Sequence, residues 1–397
     1  MSRIKLFSAV IFSNTNLLKL NKMKKCHLLV VIFTILLSSY SFSQPIEFEL
    51  LRPSFDYLVG VQGSSTAFAD IDGDNDQDML ITGQHNSYQY TSRLYSNDGN
   101  GNFTEVYGTP FDGVGYGSIA FADVDGDNDL DLLITGENNA AQRISKLYTN
   151  DGNGNFTVVS GTPFVGVRYS SIAFADIDGD NDQDVLITGE NTPYNSSTKL
   201  YTNDGNGNFT EASGTPFVDI RLGSIAFADI DGDNDQDVLI TGQGNSNLRN
   251  SKLYSNDGNG NFTEVSGTPF IDVRISSIAF ADVDGDNDQD VIITGENNPW
   301  QYISKLYSND GNGNFSEVNA TPFDGVGYSS IAFADVDSDG DPDVLITGSN
   351  SSDQQVANLN INDAQVIIHW LQALLLKTLM LAPKRLPTWI IMAIIIC

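Results

Sequence analysis

The sequence predicts an all-β protein, a β-propeller of four-stranded blades built from 53-residue repeats: six complete units plus a truncated or frameshifted seventh. Three observations predict it. The stretch "FADIDGDNDQDMLITG" at 68–83 returns at 121, 174, 227, 280 and 333, always 53 residues on. Each copy carries strand periodicity and no helical pattern. Each also holds four short apolar runs separated by turn residues, the signature of a propeller blade. A parallel β-helix uses much shorter coils, and tandem sandwiches need about 100 residues per domain.

The unit beginning at Ser118 shows the elements in order. "SIAFAD" alternates large Ile119 and Phe121 with Ala120 and Ala122, a strand with a large and a small face. The Asp-rich loop follows, and "LLITG" (132–136) reads as a strand buried on both sides. "ISKLYTN" (144–150) gives a third strand, "DGNGN" (151–155) carries hairpin-turn chemistry, and "FTVVS" (156–160) returns as a fourth.

Composition narrows the function. The 397-residue chain has 20 basic and 51 acidic residues, a net charge of −31. The six loops hold five Asp each, most of the acids, so the charge sits at discrete sites. Such a chain does not bind nucleic acid by neutralising phosphates, and 40% apolar residues in periodic order argue for a packed core over disorder. Cys26 and Cys397 lie outside the repeats, as do His27 and His369, which leaves His85 alone in the body. Disulfides, thiol catalysis, zinc and a Ser/His/Asp arrangement are therefore not expected.

In the first loop Asp70, Asp72, Asp74, Asp76 and Asp78 occupy positions 1, 3, 5, 7 and 9. Odd positions project toward one centre when a loop wraps an ion. Side chains at 1, 3, 5 and 9 with the main-chain carbonyl at 7 make an oxygen cage suited to Ca²⁺. Position 6 needs a left-handed backbone, which Asn75 tolerates and Gly340 supplies in the sixth copy. Position 12 is Ile81, so the loop is not an EF-hand. The equivalent aspartates are Asp123, Asp125, Asp127, Asp129 and Asp131; Asp176, Asp178, Asp180, Asp182 and Asp184; and Asp229, Asp231, Asp233, Asp235 and Asp237. The last two sets are Asp282, Asp284, Asp286, Asp288 and Asp290, and Asp335, Asp337, Asp339, Asp341 and Asp343. About one Ca²⁺ per loop is expected, as part of the fold, because five bare carboxylates would repel.

The pattern F-A-D-x-D-G-D-x-D-x-D-[VL]-[LI]-I-T-G resembles the FG-GAP/VCBS repeat of integrin α-subunits and of many secreted bacterial proteins, from about 47 to 363. The resemblance implies an integrin-α-like propeller with Ca²⁺ held by Asp70, Asp72, Asp74 and Asp78 and the carbonyl of Asp76, and likewise in each copy. Asn or Ser stands where integrin loops carry Gly. Some Ca²⁺-propellers of this type belong to polysaccharide lyases, so the resemblance also implies an alternative: a lyase or glycosidase-type enzyme, or its accessory domain.

Turns of a meander alternate between blade ends. The Asp loops and "NDGNGN" turns should share one face, and the 2–3 and 4–1 connections the other. The first face is nearly invariant between copies, and the second varies. The variable face offers Tyr88, Tyr90, Tyr194, Trp300 and Tyr302 in the 2–3 loops, and Tyr116, Arg168, Tyr169, Arg221, Arg274 and Tyr328 at the 4–1 tips. Aromatics and arginines on a rigid scaffold anchor binding surfaces. The expected function is a non-catalytic binding or adhesion module for an extracellular polysaccharide or surface protein, acting as a monomer.

Residues 1–22 read as an upstream extension, with Met23 the expected start. Residues 23–43 read as a signal peptide: Lys24-Lys25, an apolar stretch from Leu28 to Leu37, and Ser41-Phe42-Ser43 before Gln44. The mature chain is expected outside the cell, secreted or at its surface. The propeller spans 44–363, with "PIEFELL" (45–51) resembling a fourth strand. Residues 364–397 leave the pattern. Their prolines and charges make a poor membrane span, and they read as a frameshift. Codons for 372–376 read one nucleotide earlier permit Thr-Gly-Thr-Pro-Phe, whose hidden phenylalanine falls 53 past Phe323.

Overall fold

The computed structural model describes residues 58–85 and 89–362. The upstream extension, the signal peptide, "PIEFELL", Tyr88 and the off-pattern tail lie outside the described residues, as do the ends of the 44–363 span.

Every regular element among the described residues is a strand. The first unit holds β1 (Gln62–Ala69), β2 (Asp78–His85), β3 (Gln89–Asn97) and β4 (Phe103–Val106). The second splits its first strand into β5 (Val114–Gly115) and β6 (Ile119–Ala122), then runs β7 (Asp131–Asn138), β8 (Arg143–Asn150) and β9 (Phe156–Val158). The third has β10 (Arg168–Ala175), β11 (Asp184–Thr192), β12 (Asn195–Asn203) and β13 (Phe209–Glu211). The fourth has β14 (Ile220–Ala228), β15 (Asp237–Gly244), β16 (Arg249–Ser255) and β17 (Thr263–Glu264). The fifth has β18 (Arg274–Ala281), β19 (Asp290–Glu296), β20 (Tyr302–Ser308) and β21 (Ser316–Glu317), followed by β22 (Val326–Ala334), β23 (Asp343–Asn350) and β24 (Gln355–Asn360).

Within a unit the strands pair antiparallel in sequence order, as in β10-β11-β12-β13. The second strand is buried along its length: Val185, Leu186 and Ile187 are 0–2% exposed. Its apolar run has no polar alternation because both faces are covered. One cluster joins Leu133 and Leu147 of the second unit to Val185, Ile187 and Tyr201 of the third, and the next joins Leu186 and Leu200 to Val238, Ile240 and Tyr254. The core is therefore a series of layers between consecutive sheets, the arrangement of a propeller-like repeat protein.

The "TPF" connections complete each layer. Phe164 packs edge-on to Tyr201, with centroids 5.0 Å apart, and lies 5.0 Å from Phe209. The Tyr201 hydroxyl accepts the Val165 N–H at 3.1 Å, so a buried phenol closes the backbone bonding of the linker. The same trio recurs as Phe217, Tyr254 and Phe262.

The two flanking units differ. Phe68 is 57% exposed and Leu345 is 39% exposed, while Leu80, Leu133, Leu186, Leu239 and Ile292, equivalent to Leu345, are fully buried. On the first of these outer faces Val59 and Val61 pack against Met79, Ile81 and Tyr95, but among the described residues no further sheet covers either face.

Candidate functional site

The third copy shows how an Asp loop is built. Asp176 Oδ1 accepts the Gly179 N–H at 2.8 Å and its Oδ2 the Asn181 N–H at 3.0 Å. Asp180 Oδ1 accepts the Asp182 N–H at 2.9 Å. These bonds need tight left-handed steps, supplied by Gly179 (φ 78°) and Asn181 (φ 72°). The sixth copy takes the same steps with Ser338 (φ 63°) and Gly340 (φ 97°).

Asp184, at position 9, opens β11 and is buried. Its Oδ2 accepts the Ile177 N–H at 3.2 Å and its Oδ1 the Asn203 N–H at 2.7 Å. It thus pins the loop to the end of β12. Asp78, Asp131, Asp237, Asp290 and Asp343 hold the equivalent pairs of N–H groups. Asp182, at position 7, folds its carboxylate over Gly205, where a Cβ would meet Oδ2 at 2.5 Å. Position 7 is left its main-chain carbonyl to offer a ligand.

The donor set fits a hard cation. Oxygens of Asp176, Asp178 and Asp184 lie within 4.8 Å of one another, as do those of Asp70, Asp72 and Asp78, of Asp229, Asp231 and Asp237, and of Asp282, Asp284 and Asp290. In the second copy Asp123, Asp125 and Asp127 converge likewise. Oδ1 of Asp72, Asp125, Asp178 and Asp231 is buried with no hydrogen-bond partner. A buried oxygen left unpaired is costly unless something electropositive faces it. Burial raises the Asp178 carboxyl above its usual range, with the Asp180 charge adding to it, and pushes Asp131, Asp184 and Asp237 up to about 6. Buried triplets of this kind can hold metal ions.

A sign reversal should follow. Asp178→Asn removes charge from a crowded site and is expected to leave the cation-free chain equally or more stable. With calcium present the same variant should melt below wild type. Melting curves in chelator and in calcium check it, and a loss of stability in both would make the position-3 carboxylate purely structural.

The "DGNGN" turns lie beside these loops. Asp204 Oδ1 accepts the N–H groups of Asn206 at 3.0 Å and Asn208 at 3.3 Å. The Asn208 side-chain bonds and the Asn206 N–H hold its carboxyl below the usual range. The Gly207 N–H and Asn203 Nδ2 then bond the Val124 carbonyl of the preceding unit at 2.9 and 2.8 Å. The first five Asp loops are therefore each clamped by their own sheet and the next.

The opposite side collects most of the expected binding residues, in places the sequence reading did not give. Tyr116, Tyr169 and Tyr328 are at first-strand bulges with φ of 53°, 50° and 49°, not at loop tips. With Gly63, Leu222 and Ile275 they surround one opening of about 190 Å³. The Tyr116 and Tyr169 rings stand 5.2 Å apart, and Tyr90 meets Tyr116 edge-on at 6.1 Å. Arg168 and Arg274 begin strands, and Arg221 lies within one. Tyr194 and Trp300 sit at turn tips with φ of 65° and 68° and are 79% and 69% exposed, while Tyr302 is half-buried.

Arg221 is buried, because Glu190 captures it. The Glu190 carboxylate also takes Arg143 at 2.8 Å, Arg168 at 2.9 Å and the Tyr194 N–H at 3.2 Å. Burial alone would raise its pKa, but the Arg143 and Arg168 bonds hold it below the usual range. Arg168 reaches Glu137 at 2.7 Å. Arg249 and Arg274 converge on Glu296 at 2.5 and 2.8 Å, and the Trp300 ring lies 4.7 and 4.9 Å from their guanidinium carbons. Sequence reasoning missed Glu137, Glu190, Glu296, Arg143 and Arg249. The glutamate ending "ITGE" in three copies was the available signal. Tyr116, Arg168, Tyr169, Glu190, Tyr194 and Arg221 line a pocket of about 490 Å³.

Similar solved structures include the exotype rhamnogalacturonan lyase YesX (18% identity, 75% of this chain and 55% of that one, TM-score 0.45). Another is the Bacillus licheniformis rhamnogalacturonan lyase PL11 (17% identity, 74% and 57%, TM-score 0.44). A third is the fucose-specific lectin from Aleuria aurantia (11% identity, 75% and 91%, TM-score 0.44). The chain spans little more than half the length of the two lyases. No curated protein matches it. The FG-GAP-like repeat family matches residues 70–134, 123–187, 176–240, 229–293 and 282–346 in overlapping register. With the 53-residue period and its Asp loops, that match makes the chain a member of the FG-GAP-like repeat family.

Proposed function

We propose that this chain is a secreted, calcium-loaded propeller of six units and part of a seventh, acting as a non-catalytic binding module for an extracellular polysaccharide or surface protein. One observation carries the reading: large aromatic side chains stand exposed together with arginines on the side opposite the Asp loops. Tyr194, Trp300 and Tyr328 are each about 70–80% exposed. Uncovered rings over a rigid scaffold are the usual anchors of recognition. The Asp loops serve this face indirectly, since calcium in them fixes the units against one another. Calcium is favoured because the donors are all oxygen, as many as five per loop, and set by flexible main chain. The uncovered flanks at Phe68 and Leu345 accord with a further unit. No helix among the described residues is long and apolar enough to cross a membrane.

Glycan-array binding without product formation tests the reading. Replacing Tyr194 and Trp300 by Ala should weaken capture of the ligand at least about tenfold while moving stability by less than about 1 kcal/mol. Lost stability with intact binding would make these rings packing residues, and product release would favour the lyase or glycosidase alternative.

A further inference from the structure

The geometry points to two related subsites for the anionic groups of an acidic polysaccharide, built from Arg143, Arg168, Glu190 and Tyr194 and, 106 residues on, from Arg249, Arg274, Glu296 and Trp300. The inference rests on the binding-module reading and names its ligand class.

The distribution of positive charge is the first support. Among the described residues the Lys and Arg side chains fall into two sets. Arg93, Lys146, Lys199, Lys252 and Lys305 recur every 53 residues on the third strand, each paired with a nearby Glu or Asp. All the others are arginines, and all join the two clusters: Arg143, Arg168, Arg221, Arg249 and Arg274. Five guanidinium groups there share three carboxylates, those of Glu137, Glu190 and Glu296. In a chain of net charge −31, every described arginine except Arg93 thus gathers in these two clusters.

Glu190 is already saturated. Its Oε1 accepts from Arg143 and Arg168, and its Oε2 from Arg221 and the Tyr194 N–H. Arg168 Nη1 goes on to Glu137, and Arg221 Nη2 to the side-chain oxygens of Gln243 and Asn247 at 3.4 and 3.5 Å, so among the described residues Arg143 and Arg221 meet no carboxylate besides Glu190. Arg221 is 7% exposed, lines the pocket, and keeps its Nε buried without a partner; Arg143 Nε is in the same condition. Arginines pre-set by a buried carboxylate present fixed forks suited to carboxylates and sulfates.

The second support is the repetition. Corresponding members of the two clusters are two repeats apart, while the intervening copy places Ser196, Gln243 and Asn247 at the positions of Arg143, Glu190 and Tyr194. Each cluster carries an exposed ring at the same repeat position beside a guanidinium: Tyr194 lies 5.7 Å from Arg221, which Gly327 replaces in the second cluster, and Trp300 lies 4.7 Å from Arg249. A ring beside a cation offers a stacking face for a sugar and a partner for its acid group. Two like subsites on one scaffold favour a polymer that presents the same acid repeatedly, through effective concentration.

Calorimetry with the full chain in calcium buffer would compare hyaluronan, its methyl ester, dextran sulfate, dextran and a hyaluronan disaccharide. Hyaluronan or dextran sulfate should bind, separating carboxylate from sulfate preference. The methyl ester and dextran should bind at least about tenfold more weakly, and so should the disaccharide, whose single carboxylate serves one subsite only. Rising salt should weaken the polymer complex. Arg274→Gln should cost about tenfold in affinity, Trp300→Ala should do likewise without disturbing the Arg–Glu network, and Arg93→Gln should leave binding unchanged. Equal binding of hyaluronan, its ester and dextran would overturn the anionic subsites and leave the glycan-binding reading standing. Binding of an acidic protein with no polysaccharide bound would overturn the anionic-polysaccharide inference while leaving the surface-protein form of the reading in place. No binding of either class would overturn both.

Discussion

Chelating divalent cations is expected to lower the melting temperature of this protein by at least about 10 °C. A site held at a hundred times its dissociation constant contributes about 2.7 kcal/mol, several such sites act together, and each kcal/mol moves Tm by roughly 2–4 °C in a domain of this size. Titration should find about six Ca²⁺ per chain, one per loop. The pH dependence has a definite sign. Burial pushes Asp131, Asp184 and Asp237 up to about 6 from a usual 3.8, so the folded cation-free chain holds protons that the unfolded chain releases. Its stability from these groups is full below their unfolded pKa and is lost as pH rises through about 6. Bound calcium favours the ionised carboxylates and should remove that loss. Melting curves across about pH 4 to 7, with and without chelator, measure both effects. An unchanged curve in excess chelator would dismiss the structural ion.

Asp184→Ala is expected to cost about 3–5 kcal/mol even in chelator. The side chain is 1% exposed and satisfies two buried N–H groups, Ile177 and Asn203, and each buried donor left unpaired costs about 1–3 kcal/mol. The effect should be local in origin, since units contact chiefly their neighbours. Denaturant unfolding of Asp184→Ala beside Asp178→Asn, both without calcium, separates pinning from ligation. Equal midpoints for the two variants would refute the pinning role.

Local structure is largely legible in the sequence. The strands expected around Ile119, 132–136, 144–150 and 156–160 are found as β6 to β9, because apolar alternation and Gly-rich turns act within a few residues. The crowding of odd-numbered aspartates was legible for the same reason, since their bonds to Gly179, Asn181 and Asp182 span only two to five positions. The binding side was less so. Tyr116, Tyr169 and Tyr328 looked like loop tips, because a bulge that turns a tyrosine to positive φ leaves no mark in hydrophobic period.

By itself, then, the sequence determined the repeat, the strand order within a unit and the side on which each turn lies. These follow from short-range stereochemistry repeated at a fixed step. Only the tertiary structure decided which side chains meet across units. Glu190 gathers Arg143, Arg168 and Arg221 over separations of 47, 22 and 31 residues, and Asn203 reaches Val124 over 79. Such meetings depend on how far one sheet is rotated against the next, which is fixed by the packing of Leu133, Val185 and Tyr201 between them. Spacing along the chain carries no record of that angle. The same physics turned Asp184 from an expected ligand into a buried pin as well, because its place at the start of β11 sets it beneath the end of β12.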